Sequence, residues 1–256
     1  MPQASQYVAP RWVGLLQDSL NKSMAKDPGQ IAYALSSSSD NGPRVRMVVH
    51  RGFLNERRST EDPSWSENPS KDSEGHPFTS STMLVTTDVR GPKAAQILSS
   101  SVVEFVWWHS TTQHQFRIRA KASILPPAGH PFMSMFPASE LTPPGLTTFN
   151  WESERLRQFR KLNPPLRASF VRPIPGTPLE GTDIDPSTFP KGLPSDLDPA
   201  ATPKEKEQIA EALKNFSLIV LNPFDIDMCD LSTDPHERIQ WNLSDGGKWV
   251  ETAVVA

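Results

Sequence analysis

Apolar residues in this chain recur at every second position in short runs, and several runs are separated by only a few turn-forming residues. That spacing gives strands with one buried face, and links this short permit only antiparallel neighbours. Gln30 to Ser37 carries Ile31, Tyr33 and Leu35 at alternate positions, and a second run covers Arg44 to Phe53. Between them, Asn41-Gly42 suits a tight hairpin turn. Val102 to His109 and Gln113 to Leu125 make a second pair across a Ser-Thr-Thr link. Thr82 to Thr87 is a shorter strand, and the chain closes on Phe216 to Pro223, Ile239 to Leu243 and Lys248 to Val255. Helical spacing is confined to Pro10 to Ser23, with Trp12, Leu15, Leu16 and Leu20 on one face, and to Pro92 to Leu98, Trp151 to Leu162 and Lys204 to Asn215. The class expected is mainly β with peripheral helices. A barrel is preferred to a sandwich because closure removes exposed strand edges.

The 26 prolines cluster between the apolar runs, which marks a folded framework with long loops rather than a disordered chain. We expect one domain over residues 1–256, with loop insertions at about 54–79, 126–150 and 172–203. With 26 basic and 29 acidic residues the net charge is −3, so bulk electrostatics do not favour nucleic acid. The single cysteine, Cys229, excludes an internal disulfide and a multi-cysteine zinc site, and a buried thiol is its expected state. No stretch reaches the roughly 20 apolar residues needed to span a bilayer, and Met1 to Pro10 lacks the pattern of a secretory signal. A cytoplasmic protein without membrane partners is the expectation.

Alternation in Arg44 to Phe53 puts Arg44, Arg46, Val48 and His50 on one face, opposite Val45, Met47, Val49 and Arg51. Neighbouring arginines suit a doubly charged phosphate; a solvated strand face is the plain alternative. The run Thr86-Thr87-Asp88-Val89-Arg90-Gly91-Pro92-Lys93 leads from a strand into a helix, where hydroxyls, free N–H groups and a lysine can hold an anion. An ordinary capped helix is equally consistent with it. Gln113, Gln115, Arg117, Arg119 and Lys121 share a strand face, and a glutamine amide suits the edge of a flavin or a nucleobase. A solvated or interface-facing strand explains that face as well. His236 and Arg238 follow a turn at Asp234-Pro235 and could hold a phosphate or polarise a substrate. The histidines His76, His109, His114 and His130 have no metal-ligand spacing, and no metal is expected.

Taken together, these segments resemble the FMN-binding split-barrel family of pyridoxamine phosphate oxidase, in the branch of oxidase-like flavin-binding proteins of uncertain substrate. Four stretches carry the likeness in the family's order: Arg46-Met47-Val48-Val49-His50-Arg51, Thr86-Thr87-Asp88 with Lys93, Gln115-Phe116-Arg117-Ile118, and His236-Glu237-Arg238. The resemblance implies an antiparallel, Greek-key-like split β-barrel and a homodimer with FMN in the clefts between subunits. It implies cofactor contacts from Arg46, Met47, Val48, Val49, Arg51, Thr86, Thr87, Lys93, Gln115 and Arg238. Arg46, Thr87 and Lys93 fall to the phosphate, and Gln115 and Arg238 to the ring. On the side of a small-molecule substrate it points to Arg167, Ser169 and His236. The chain departs from the oxidase in having Asp234 where an arginine precedes the terminal histidine, and Pro92 where the family often has arginine. No general acid or base is assigned. An FMN-dependent oxidoreductase and a flavin-binding protein without efficient turnover both remain open, with a barrel binding single-stranded nucleic acid as a third reading.

Overall fold

The structure is a computed structural model and describes residues 9–56, 80–142 and 149–256. Helix α1 (Arg11–Met24) buries the face formed by Trp12, Leu16 and Leu20. Strands β1 (Ala32–Ser39) and β2 (Gly42–Phe53) form the expected hairpin, which turns at Gly42, where φ is +95° and a side chain would be strained. Strand β3 (Met83–Asp88), helix α2 (Pro92–Ser99) and strands β4 (Val102–His109) and β5 (His114–Leu125) follow. After a largely helical stretch come β6 (Phe216–Asp230), β7 (Glu237–Leu243) and β8 (Trp249–Val254). All pairings are antiparallel, in the order β3-β2-β1-β4-β5-β6-β7-β8. A further pairing of β3 with β6 closes the first six strands into a barrel, and β7 and β8 extend from it.

The barrel interior is apolar, with Leu35, Phe105, Phe116, Ile118 and Ile226 fully or almost fully buried. Helices stop its two ends. Ser19 of α1 bonds His114, where β4 turns into β5, while Gln96 of α2 bonds Ser37 and Arg46 at the opposite end. A second apolar cluster lies outside the wall. Leu84, Leu125, Leu218 and Val220 are covered there by α4 (Trp151–Arg160), α5 (Pro164–Ser169) and α6 (Pro203–Asn215). Elsewhere on the exterior, among the described residues, the wall carries exposed apolar side chains. Val45 and Met47 of β2 and Val102, Val106 and Trp108 of β4 all point outward and are 39% to 66% exposed.

Several expectations are corrected. Strand β6 does not stop at Pro223 but continues to Asp230, because a register shift between Arg119 and Ala120 absorbs the proline's missing donor. Gln113 has φ of +56° and belongs to the turn, so β5 starts at His114. Helix α5 was not expected; its two leading prolines sit in the first turn, where no N–H is needed. The stretch 126–150 is not all loop: it holds a 3-10 turn at Pro131–Met135 and the short α3 (Ala138–Leu141), while residues 143–148 lie outside the described residues. Of the stretch 54–79, residues 57–79 also lie outside them, His76 included, as do residues 1–8 of the N-terminal segment. The stretch 172–203 has one 3-10 turn at Pro186–Thr188 before α6 starts. Among the described residues, no helix is long and apolar enough to cross a membrane.

Candidate functional site

Period-two alternation puts Arg44 and Arg46 on the inner face of β2 at the end of the barrel that α2 stops, Arg46 half-buried and Arg44 exposed beyond it. Arg46 donates from Nη1 to Ser37 Oγ at 2.5 Å and from Nη2 to Gln96 Oε1 at 2.6 Å. Ser37 in turn donates to Gln96 Oε1 at 2.8 Å, so two side chains bonded to each other hold one guanidinium in place. Lys93, in the first turn of α2, stands beside it. Burial, and then the Arg46 charge, push the Lys93 ammonium down to about 8. Burial, and then Arg44, lower Arg46 as well. Among the described residues, no carboxylate forms an ion pair with Arg44, Arg46 or Lys93. Gly91 begins α2 without a side-chain cap. Three clustered cations at a helix N-terminus with no anion among them make a receptor for a dianion such as a phosphate monoester.

A second group lies on the outer face of the wall. Trp108, Gln115, Cys229 and Arg238 stand directly across from one another on β4, β5, β6 and β7. The adjacent row holds Val106, Arg117, Asp227 and Gln240. Arg238 grips Asp227 with two bonds of 2.9 and 2.6 Å, and Gln240 donates to the same carboxylate at 3.2 Å. The Arg238 bond is the main reason that the Asp227 carboxyl lies below its ordinary value. Cys229 is half-buried rather than buried. The group offers amide and guanidinium donors beside an exposed indole, the chemistry that suits the polar edge of a flat heteroaromatic ring.

The expected cofactor residues therefore divide. Arg46 and Lys93 come together at the barrel end, and Gln115 and Arg238 come together outside it. Arg46 points inward and Gln115 outward, so among the described residues no cleft of one chain holds both. Thr87 is buried, with its hydroxyl donating to the Asp88 carbonyl at 3.2 Å, and the Val48 side chain is in the core. Arg51 reaches Thr86 Oγ1 at 3.4 Å, and Met47 and Val49 face outward on the exposed part of the wall.

The substrate-side residues do not converge. Arg167 is buried and donates to the carbonyls of Leu193, Arg160 and Leu162, which makes it a tie between α5 and the segments around it. Ser169 donates to the Leu166 carbonyl and borders a cavity of about 250 Å³ lined by Arg172, Ile174, Leu179, Ile184 and Phe189. His236 is exposed in the β6–β7 turn, held by the Thr233 carbonyl at 2.8 Å. A series Ser19–His114–Asp230, with contacts of 2.7 and 3.3 Å, has the residue types of a nucleophilic triad. Ser19 is fully buried and its hydroxyl also meets the Leu15 carbonyl at 2.8 Å, so the series pins α1 to the β4–β5 turn.

Sequence reasoning missed Ser37, Gln96, Asp227 and Gln240. The signal for Asp227 is the alternation of acids in Asp225-Ile226-Asp227, legible once β6 runs past Pro223.

No curated protein matches the sequence. Among solved structures, the chain is similar to a pyridoxamine 5'-phosphate oxidase-related, FMN binding protein from Nostoc punctiforme. The two share 21% identity over 97% of this chain and 99% of that one, with a TM-score of 0.67. It is also similar to PhzG from Burkholderia lata, solved in complex with tetrahydrophenazine-1-carboxylic acid. Identity there is 13%, over 100% of this chain and 97% of that one, with a TM-score of 0.58. At these identities the likeness is one of fold, and the fold is the split barrel. Residues 9–126, which run from the residues before α1 to just past β5, match the family model of the pyridoxamine 5'-phosphate oxidase, FMN-binding domain. The inward arginine of β2, the lysine of α2 and the glutamine of β5 all lie inside that match, so residues 9–126 carry the pattern of the pyridoxamine 5'-phosphate oxidase FMN-binding domain, on the fold of the FMN-binding split barrels.

Proposed function

We propose that the protein is an FMN-dependent oxidoreductase acting on a small molecule, and that it works as a homodimer with FMN held between subunits. The observation that carries this reading is the division of the site. Each chain has an anion receptor without an anion (Arg46, Lys93) and a ring-edge receptor (Gln115, Arg238), on opposite faces of its wall. One nucleotide can use both only if the second comes from another chain. The exposed part of the wall supplies the means, since Val45, Met47, Val106 and Trp108 form the kind of exposed apolar face that a second copy covers.

The residues fit the cofactor. Arg46, held by Ser37 and Gln96, and Lys93 would take the phosphate, with Thr86, Thr87 and Arg51 on the neighbouring strand ends. Gln115 and Arg238 would take the ring, and Met47, Val48 and Val49 would border it from β2. When bound, FMN supplies reversible two-electron exchange; the chain binds it, orients it and shields it from water. Nucleic acid is not part of this reading, because Arg117 and Arg119 on β5 are faced in register by Asp227 and Asp225 on β6. A cytoplasmic location is part of it, supported by the lone free thiol.

The test is the visible spectrum of freshly purified protein together with its sedimentation. Two flavin bands and a dimer are expected. Arg46→Ala and Lys93→Ala should each weaken FMN about tenfold to a hundredfold, the loss of one charge-assisted contact. Unchanged affinity in both variants would remove the phosphate assignment.

One observation favours a second reading, FMN binding without turnover: Arg167 is buried and bonded to three backbone carbonyls, while His236 is exposed in the β6–β7 turn. Anaerobic mixing with reduced nicotinamides and amines separates the two. Flavin that stays oxidised with every donor decides for binding alone.

A further inference from the structure

Asp227 stands on the outer face of β6 where three donors meet and a second guanidinium faces them. Arg238 reaches it twice, Nε to Oδ1 at 2.9 Å and Nη2 to Oδ2 at 2.6 Å. Gln240 donates to Oδ2 at 3.2 Å, and Arg117 faces it directly across the β5–β6 pairing. The Arg117 Nε is buried without a hydrogen-bond partner among the described residues. This is not an ordinary surface pair, since the Asp227 side chain is only 13% exposed. Its neighbour on the same face provides the contrast: Asp225 makes one 3.3 Å contact with Arg119, which is 48% exposed.

A guanidinium held by two parallel bonds has one orientation, and Arg238 is thereby fixed on the row that also carries Gln115. Charge follows from the same grouping. Two guanidiniums and one carboxylate leave a single net positive charge beside the place where the reading above puts the ring. The reduced ring is richer in negative charge than the oxidised one, so each positive charge nearby favours the reduced form.

We propose that Asp227 is a positioning residue for FMN, which aims Arg238 at the ring and, by offsetting its charge, sets the preference of the protein for reduced over oxidised cofactor. The inference rests on the proposed dimeric FMN site. Gln240, which shares the carboxylate, supports it from β7.

Four full-length proteins test it: wild type, Asp227→Asn, Asp227→Glu and Asp225→Asn. For each, FMN affinity is read by fluorescence, the midpoint potential by dithionite titration against a reference dye, and stability by urea. Asp227→Asn should bind oxidised FMN more weakly and have a more positive potential. A tenfold rise in the preference for the reduced form corresponds to about 30 mV for a two-electron couple. Asp227→Glu should return the potential towards wild type, and Asp225→Asn should leave it unchanged. A wild-type potential in FMN-loaded Asp227→Asn, whatever its urea midpoint, overturns the inference. So does an equal shift in Asp225→Asn, which would reduce the effect to general charge. If Asp227→Asn does not fold, Arg238→Gln carries the test: its potential must move negative, and no movement overturns the proposal. Failure of the underlying reading looks different, because wild type would then take up no FMN or would take it up as a monomer.

Discussion

Lys93 carries its charge where the surroundings oppose it. Burial and the neighbouring Arg46 bring its pKa to about 8, from an ordinary lysine value more than two units higher. The unfolded chain therefore holds the proton more tightly than the folded one. Below about 8 the charged lysine costs the ligand-free fold stability, and the cost fades as pH rises through that value towards the unfolded one. A bound dianion reverses the preference. The FMN phosphate, with a second pKa of about 6, is already doubly charged there, so binding above pH 8 must draw a proton onto Lys93. Affinity for FMN should fall as pH rises past about 8, as followed by fluorescence titration in buffers on either side of that value. Lys93→Met should bind more weakly at neutral pH and lose this decline. A wild-type affinity that stays flat across the range would show that Lys93 does not meet the phosphate.

Helix α1 shows how one element can decide whether the barrel has a closed interior. Its Trp12 is fully buried against Phe53 and Trp249, with ring centroids 6.2 and 5.6 Å apart. Trp12→Ala should cost about 3 to 5 kcal/mol in urea denaturation, the range for emptying an aromatic site in a core. A loss below about 1 kcal/mol would mean that α1 lies on the barrel rather than stopping it. The helix was legible, because Trp12, Leu16 and Leu20 keep helical spacing and the structure buries all three. The β1–β2 hairpin was legible at Asn41-Gly42 for a similar reason, since local backbone preference and tertiary position agree there. Strand β6 was not, because Pro223 reads as a strand end and only the register shift at Phe224, an extra residue on β6 itself, lets the pairing with β5 continue. Helix α5 was hidden in the same way behind Pro164 and Pro165. Arg46 and Gln115 were found by alternation on their strands. Their separation onto two faces of the wall needed the pairing order, and the Asp227 grip on Arg238 needed the full length of β6.

At the scale of the whole molecule, the exterior is uneven. Helices α4, α5 and α6 cover the β3–β6 side, while β2 and β4 leave Val45, Met47, Val102, Val106 and Trp108 exposed. Met47→Glu puts a charge in the middle of that exposed side without touching the interior. On the dimeric reading it should yield a folded monomer by sedimentation and lose most of the bound flavin together with the dimer. A Met47→Glu dimer that keeps its flavin would place the contact between subunits elsewhere. On the dimeric reading, because the anion receptor and the ring-edge receptor of one chain look away from each other, an isolated polypeptide would have nowhere to store the nucleotide. Loading would then be second order in protein: dilution empties the site even when free flavin is plentiful, and the yellow colour of a solution becomes a gauge of assembly.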